Sequence, residues 1–581
     1  MKNKNTLLRL LAFCKPYMKY LYIALVLSII NIVFTLWSPI LIGRAIDTMI
    51  GMGQVDFMLL GNRLILIGIA TAIAAISYYF LQRSSNRMAY EITKDLRNQL
   101  FDQYHRLPLS YIDSQSHGDL MSRMISDIDL IGDGLLMGFT NLFRGVATIV
   151  GTIGFMCMVD IQVAMVVILL TPLSLLVSSV IATKTYKYTQ EQLVDRGQLS
   201  GFAEEMIGHQ KTVKAFSHEK ENSESFATLN DQVFKTGVRS MFLSALVNPS
   251  TRFVNAMVYA TVCLTGALKV VAGGLTVGAL SSFLTYANQY TKPFNDISNV
   301  FAELQTALAC VDRVFKVIDE DPMHEPAQPT DLNDPEGAIT IEDLKFSYTP
   351  DKPLIDHFSL DVRPGMTIAI VGPTGCGKTT FINLMMRFYD PISGKISIDG
   401  VDIQDLTRNK LRSFYGMVLQ DTWLFKGTIR DNIAFGTTDP TEEEIMRAAK
   451  NAHAHKFIKQ LKGGYDAMLA EEGANLSQGQ RQLLCIARIM LADPPMLILD
   501  EATSSIDTRT ERQIQDAFDV MMKDRTTFIV AHRLSTIQKA DQIIVMKDGH
   551  IMEQGTHDEL LKENGFYHEL YYSQFDVGNQ K

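Results

Sequence analysis

The stretch Thr367-Ile-Ala-Ile-Val-Gly-Pro-Thr-Gly-Cys-Gly-Lys-Thr-Thr-Phe-Ile-Asn-Leu-Met385 holds the pattern on which the fold turns. Thr367 to Val371 are mostly β-branched and read as a buried strand. Gly372-Pro373-Thr374-Gly375-Cys376-Gly377-Lys378-Thr379-Thr380 follows, and an apolar helical pattern continues to Met385. Glycines at this spacing let backbone N–H groups wrap phosphate oxygens, and the start of a helix adds a favourable dipole. Lys378 is placed to neutralise β- and γ-phosphate charge, and Thr379 offers a hydroxyl to Mg²⁺. These nine residues are the candidate cradle for a nucleotide. Cys376 lies inside the loop and is expected to react with thiol reagents, with nucleotide protecting it.

A second apolar strand, Met496 to Leu499, ends in Asp500-Glu501. A strand delivering carboxylates at its C-terminal edge suits water-mediated Mg²⁺ coordination by Asp500, and Glu501 can orient or deprotonate an attacking water. Around these motifs β-rich runs alternate with helical patterns: 338–348, 366–372, 395–400, 496–500, 526–532 and 542–549. That alternation predicts an α/β P-loop nucleotide-binding domain over 339–581, built on a largely parallel sheet.

Upstream of it, Asp319 to Ala338 carries four prolines and seven acidic residues and no Lys or Arg. Such a segment reads as a linker, 319–338. Before it the composition is different in kind. Apolar spans recur at about Tyr20–Ile42, Leu59–Leu81, Leu135–Val159, Ile161–Thr183, Ser244–Val271 and Val277–Thr291, each near the ~20 residues that cross a bilayer. Residues 1–318 are therefore expected to form a membrane all-α six-helix transmembrane domain. The connections 82–134 and 184–241 are long and rich in Lys and Arg, which places them, the N-terminus and the nucleotide domain in the cytoplasm of a multi-pass cell-membrane protein. The sixth helix should run on to Val317 as a stalk.

The chain's 581 residues exceed what one core usually holds, and 54 basic against 63 acidic side chains give a net charge of −9, which argues against a nucleic-acid partner. A mean hydropathy of +0.07 averages two unlike halves. The cysteines, Cys14, Cys157, Cys263, Cys310, Cys376 and Cys485, have neither disulfide-framework nor zinc-site spacing.

Asn475-Leu476-Ser477-Gln478-Gly479-Gln480-Arg481-Gln482 stands between the two ATP motifs. It resembles the signature motif of ATP-binding cassette (ABC) transporters. Six spans followed by one such domain resemble a bacterial ABC exporter half-transporter of the multidrug and lipid-flippase type. The resemblance implies that Tyr348 stacks on adenine, Gln420 contacts Mg²⁺ and water, Asp507 lines a dimer interface, and His532 contacts the γ-phosphate. It implies ATP and Mg²⁺ as cofactors, with Glu501, His532 and Gln420 catalytic. It further implies a head-to-tail dimer in which the Ser477 helix, with Gly479 and Gln480, caps a nucleotide held by the partner. Segments near Leu109–His117 and Ala215–Ser225, with Tyr111 and Phe216 as anchors, are the implied coupling helices.

The family usually has two adjacent glycines where this chain has Gln478-Gly479. That departure favours a heterodimer in which this chain supplies the catalytic Glu, with a homodimer as the alternative. Asn141, Arg144, Asn255, Asn288 and Gln289 fall at membrane depth and either line a substrate pathway or bond helices together. The expected function is ATP-driven export of small amphipathic or lipid-like substrates, small hydrophobic molecules, lipids and peptides all staying open. A mainly regulatory membrane ATPase is the rival.

Overall fold

The computed structural model describes residues 2–49, 55–349, 352–419, 422–470, 473–500, 506–530 and 534–574. The chain divides into two compact units, 1–105 with 115–320, and 106–114 with 321–581.

The first unit is helical. It comprises α1 (Lys2–Phe13), α2 (Met18–Asp47) and α3 (Phe57–Arg106), whose last residue belongs to the second unit, as does α4 (Leu109–Ser114). It continues with α5 (His117–Ser122), α6 (Ile128–Leu136), α7 (Phe143–Val159), α8 (Ile161–Gly208), α9 (Gln210–Ala215), α10 (Glu219–Val271) and α11 (Val277–Ile318). The π-helical turns Arg123–Asp127 and Met137–Leu142 flank α6, so the third predicted span begins in the last residues of α6, is interrupted at Met137–Leu142 and is α-helical again from Phe143. Helices α3 and α8 continue well past their apolar stretches, and α11 runs unbroken to Ile318. Lys15–Asp47, Phe57–Arg106 and Glu219–Val271 are each long and apolar enough to cross a membrane; Phe143–Val159 and Ile161–Leu170 are shorter apolar helical stretches.

Burial sorts these helices. Leu36, Val167, Val262, Phe283 and Tyr286 fill a shared core, whereas Ile29, Ile65, Val150, Leu169 and Leu264 point outward, as side chains facing lipid do. Small residues set the closest approach. A Cβ on Gly278 would stand 1.9 Å from the carbonyl oxygen of Gly43, so α2 and α11 touch backbone to backbone. Ser282 Oγ donates to the Pro39 carbonyl at 2.8 Å, and the buried Tyr286 hydroxyl donates to that of Leu36.

The second unit is α/β. Its six-stranded sheet has the order β10-β9-β3-β8-β7-β6, from β3 (Thr367–Val371), β6 (Tyr415–Val418), β7 (Met496–Asp500), β8 (Thr526–Val530), β9 (Gln542–Lys547) and β10 (His550–Gly555). Every pair is parallel except β10–β9. Both faces are covered, so successive residues of one strand enter opposite cores: Ala369 and Val371 one, Ile368 and Ile370 the other. The runs 338–348 and 395–400, expected in the parallel sheet, instead form a separate antiparallel sheet of order β2-β1-β4-β5, with β1 (Ile339–Phe346), β2 (Ile355–Val362), β4 (Ser393–Ile398) and β5 (Val401–Asp402). Tight connections explain it: β1 to β2 and β4 to β5 are too close in sequence for a crossover, which takes a dozen residues or more.

Helices α12 (Lys378–Met385), α13 (Arg408–Ser413), α14 (Ile429–Ala434), α15 (Glu442–Asn451), α16 (His455–Gln460), α17 (Gln478–Ala492), α18 (Thr508–Met522), α19 (Leu534–Lys539), α20 (His557–Glu563) and α21 (Phe566–Gln574) complete the unit. The acidic Pro-rich segment is fastened along this unit. The Arg408 and Arg387 guanidiniums both donate to the His324 carbonyl, Thr330 N–H bonds to Asp405, and Asp399 accepts from the N–H groups of Glu336 and Ala338. Clustered charge and proline prevented a packed element, but not docking by backbone hydrogen bonds.

Candidate functional site

The phosphate loop leaves the C-terminal end of β3 and closes on α12. Gly377 caps that helix at φ +104°, a left-handed conformation that only glycine takes without strain. Lys378, the first helical residue, is 9% exposed, and its Nζ donates to the carbonyls of Gly372 at 2.8 Å and Pro373 at 3.0 Å, which holds the ammonium over the loop. Thr379 is exposed beside it. Asp500 ends β7, and in parallel register it lies opposite Val530, the last residue of β8, which itself borders β3. The loop and Asp500 thus share one sheet edge, two strands or about 10 Å apart, where ligands of open α/β sheets bind.

Thr374 and Gly375 are exposed and Thr380 is buried. Tyr348 reaches this site across the domain. Its hydroxyl is 3.3 Å from Thr380 Oγ1 and accepts from Asn383 Nδ2 at 3.4 Å, so the half-exposed ring stands over the first turns of α12. Cys376 corrects an expectation: its side chain is 3% exposed and packs in the core with Ile355 and Phe381, away from reagents in solution. Gln420, Glu501 and His532 lie outside the described residues.

Ser477 caps α17 as its sequence suggests. Its Oγ accepts from Gln480 N–H at 3.3 Å while Gln480 Oε1 accepts from Ser477 N–H at 3.0 Å, a reciprocal capping box. Gly479 is buried and Gln478 half-buried. Asp507 caps α18 by accepting from Arg509 and Thr510 N–H groups. The Thr510 N–H above all holds this carboxyl below its usual range, with that of Arg509 adding to it.

One feature of this unit had no signal in motif spacing. Tyr389, four residues beyond α12, packs edge-on against Tyr348 and Phe346, with ring centroids 5.0 and 5.7 Å apart, and its hydroxyl donates to Asp113 of α4. Burial first, then that carboxylate, pushes the phenol above its ordinary range. Tyr111 lies in the same short helix; Phe216, at the end of α9 in the first unit, is 74% exposed.

In the helical unit a cavity of about 240 Å³ brings together Asn141, Arg144 and Gln289 with Asn31, Thr35 and Thr148. Asn255 and Asn288 do not line it. Gln289 Oε1 is buried without a hydrogen-bond partner among the described residues, and so is Asn255 Oδ1. The Arg144 guanidinium lies 4.8 Å from the Tyr78 ring centre, and no carboxylate pairs with it among the described residues. Asn31 was legible as the one amide in an uncharged first span; Thr35 and Thr148 were not, because hydroxyls in membrane helices usually bond their own backbone.

Comparison with known proteins agrees with this architecture. The family described as ABC transporter transmembrane region matches residues 21–294, and that described as ABC transporter matches 355–504. A fatty acid ABC transporter ATP-binding/permease protein of Mycobacterium bovis is 41% identical over 89% of this chain and 82% of its own length. An ATP-dependent lipid A-core flippase of Desulfotalea psychrophila is 37% identical over 98% of this chain and 100% of its own. The solved structure of a bacterial Atm1-family ABC exporter with ATP bound superposes with a TM-score of 0.79 at 27% identity, covering 97% of this chain and 99% of that one. With its membrane helices fused to a P-loop ATPase, the chain belongs to the ABC exporters, as a multi-pass half-transporter that binds ATP and works with a second half as an ATP-driven translocase.

Proposed function

We propose that this half-transporter exports amphipathic, lipid-like anions, and that Arg144 receives their head group. The polar cavity around Arg144 supports this most directly. A guanidinium at membrane depth is costly unless something compensates it. Here the Tyr78 ring supplies part of that, and the neighbouring amides of Asn141 and Gln289 offer donors to a carboxylate or phosphate. The relatives named for fatty acid and for lipid A-core support the same class.

In the ATPase unit, Lys378 binds phosphate oxygens and Tyr348 stacks on the base; the burial of Lys378 over the loop and the half-exposed Tyr348 ring beside α12 support this reading. The exposed Thr379 hydroxyl and the Asp500 carboxylate are hard oxygen donors of the kind Mg²⁺ takes, and they stand on one sheet edge. When bound there, Mg²⁺ supplies charge neutralisation between phosphates. Glu501 orients the attacking water, Gln420 contacts Mg²⁺ and water, and His532 contacts the γ-phosphate. The N-terminus of α17 caps the partner's nucleotide, and Gln478 in that position favours a partner of different sequence. The N-terminus and the ATPase unit are cytoplasmic.

In lipid nanodiscs, oleate should stimulate ATP hydrolysis, and Arg144→Ala should lose most of that stimulation while basal hydrolysis persists. Equal stimulation of the variant would reject the site. Glu501→Gln should retain ATP binding and lose fast turnover. Robust, cooperative hydrolysis and transport by the chain alone would defeat the heterodimer.

A further inference from the structure

Three rings close a triangle beside the phosphate loop. Phe346, Tyr348 and Tyr389 meet pairwise edge-on, at centroid distances of 4.9, 5.0 and 5.7 Å. Edge-to-face pairs prefer this geometry, so a displacement of one ring is resisted by the others. Phe346 is fixed, being 5% exposed in the core. Tyr348 is 49% exposed, the one ring of the three with much of its surface open to a ligand.

Tyr389 is held from behind by a stiff turn. Arg387, at φ +49° and 3% exposed, donates to the carbonyls of Ile403, Leu406 and His324. Arg412 donates to those of Met386 and Arg387, and Asp390 is shared by Arg387 and Arg408. The Tyr389 backbone is therefore anchored, its ring touches Tyr348, and its hydroxyl grips Asp113. Asp113 belongs to α4, a six-residue helix that the chain enters from α3 and leaves towards α5. Beside it, Met323 N–H bonds to the Arg106 carbonyl at 2.8 Å.

We propose that Tyr389 is a positioning residue that ties the ring of Tyr348 to the carboxylate of Asp113, so that a base stacked on Tyr348 tightens the hold on α4. Nucleotide occupancy then reaches the chain's return to the membrane helices from the adenine side of the site. The inference rests on the assignment of Tyr348 as the base-stacking residue.

Hydrogen exchange of the full-length chain in nanodiscs, with and without the β,γ-imido analogue of ATP, tests it. In the unaltered protein the analogue should slow exchange across 109–114 by about threefold or more. Tyr389→Phe keeps the ring triangle and removes only the hydroxyl, and Asp113→Ala removes the acceptor. In both, the slowing should vanish while the affinity for the analogue stays within about threefold, roughly half of one tenfold step. Slowing as large in Tyr389→Phe as in the unaltered protein overturns the proposal, as does a loss of affinity that parallels the loss of slowing, since the hydroxyl would then merely hold the unit together. Tyr348→Leu separates the two assignments. If it binds the analogue as tightly as the unaltered chain, the base-stacking assignment fails; if it binds weakly, and at saturation still slows α4, the tie through Tyr389 fails.

Discussion

Gly479 and Thr510 are in van der Waals contact through the first turns of α17 and α18: a Cβ built on Gly479 would lie 2.4 Å from Thr510 Cγ2 and 3.1 Å from Ile506 Cγ2. The signature helix and the helix capped by Asp507 are thereby packed as one block. The glycine that this chain retains is the one the packing demands, and the position it fills with Gln478 is half-buried at the rim.

Gly479→Ala should therefore destabilise the ATPase unit by about 1–3 kcal/mol, the usual cost of overpacking. Thr510→Ser, which removes the obstructing methyl, should return most of it in the double variant. Gln478→Gly should stay within about 1 kcal/mol, the cost of glycine in a helix. Thermal unfolding of the four proteins reads this, and an undisturbed Gly479→Ala would contradict the packing.

Asp507 makes the α18 cap sensitive to acid. The folded carboxyl, accepting from backbone N–H groups, holds its proton less tightly than an ordinary aspartate, so the unfolded chain binds the proton more readily. The cap's contribution is complete above about pH 4 and is lost as pH falls through the lower folded-state value. Asp507→Ala should lower the unfolding temperature at pH 7, and the gap between variant and parent should close below pH 4. A gap constant from pH 7 to pH 3 would show that the charge is not what the cap uses.

Arg387 fastens the acidic segment to the ATPase unit. Arg387→Ala would orphan the buried carbonyls of Ile403 and Leu406 and release that of His324. Each hydrogen bond to a charged donor contributes about 1.5–3 kcal/mol, so the ATPase unit should lose several kcal/mol in total. Limited proteolysis should cut faster between Asp321 and Ala338. Arg387→Lys should recover only part of this, because one ammonium cannot reach carbonyls that a planar guanidinium spans. Unchanged cleavage would place the fastening elsewhere.

Cys376 should resist thiol reagents. At 3% exposure its sulfur is reached only when the loop opens locally, so labelling in native conditions should be far slower than in denaturant, and ATP should change it little. Rapid native labelling at Cys376, read by mass spectrometry, would contradict its burial.

Much of this protein is local and so was legible in its residues. The phosphate loop is one contiguous stretch whose glycines and Lys378 each serve their own neighbourhood. Ser477 announces a helix start because a cap satisfies N–H groups two or three residues away. The apolar spans follow from the bilayer's thickness and the stalks from the charge beyond them. What only the tertiary structure decided spans long sequence separations. Tyr348 meets Thr380, and Tyr389 meets Asp113 across 276 residues. Asn141, Arg144 and Gln289 share a cavity that Asn255 and Asn288, equally polar and at similar depth, do not line. Helical counting gives depth but not azimuth, and azimuth is fixed by which neighbours pack, here by approaches as close as Gly43 to Gly278. The antiparallel sheet differed from expectation for the same reason: a strand's apolar pattern records burial, and its partner is chosen by the length of the connection that brings the two together.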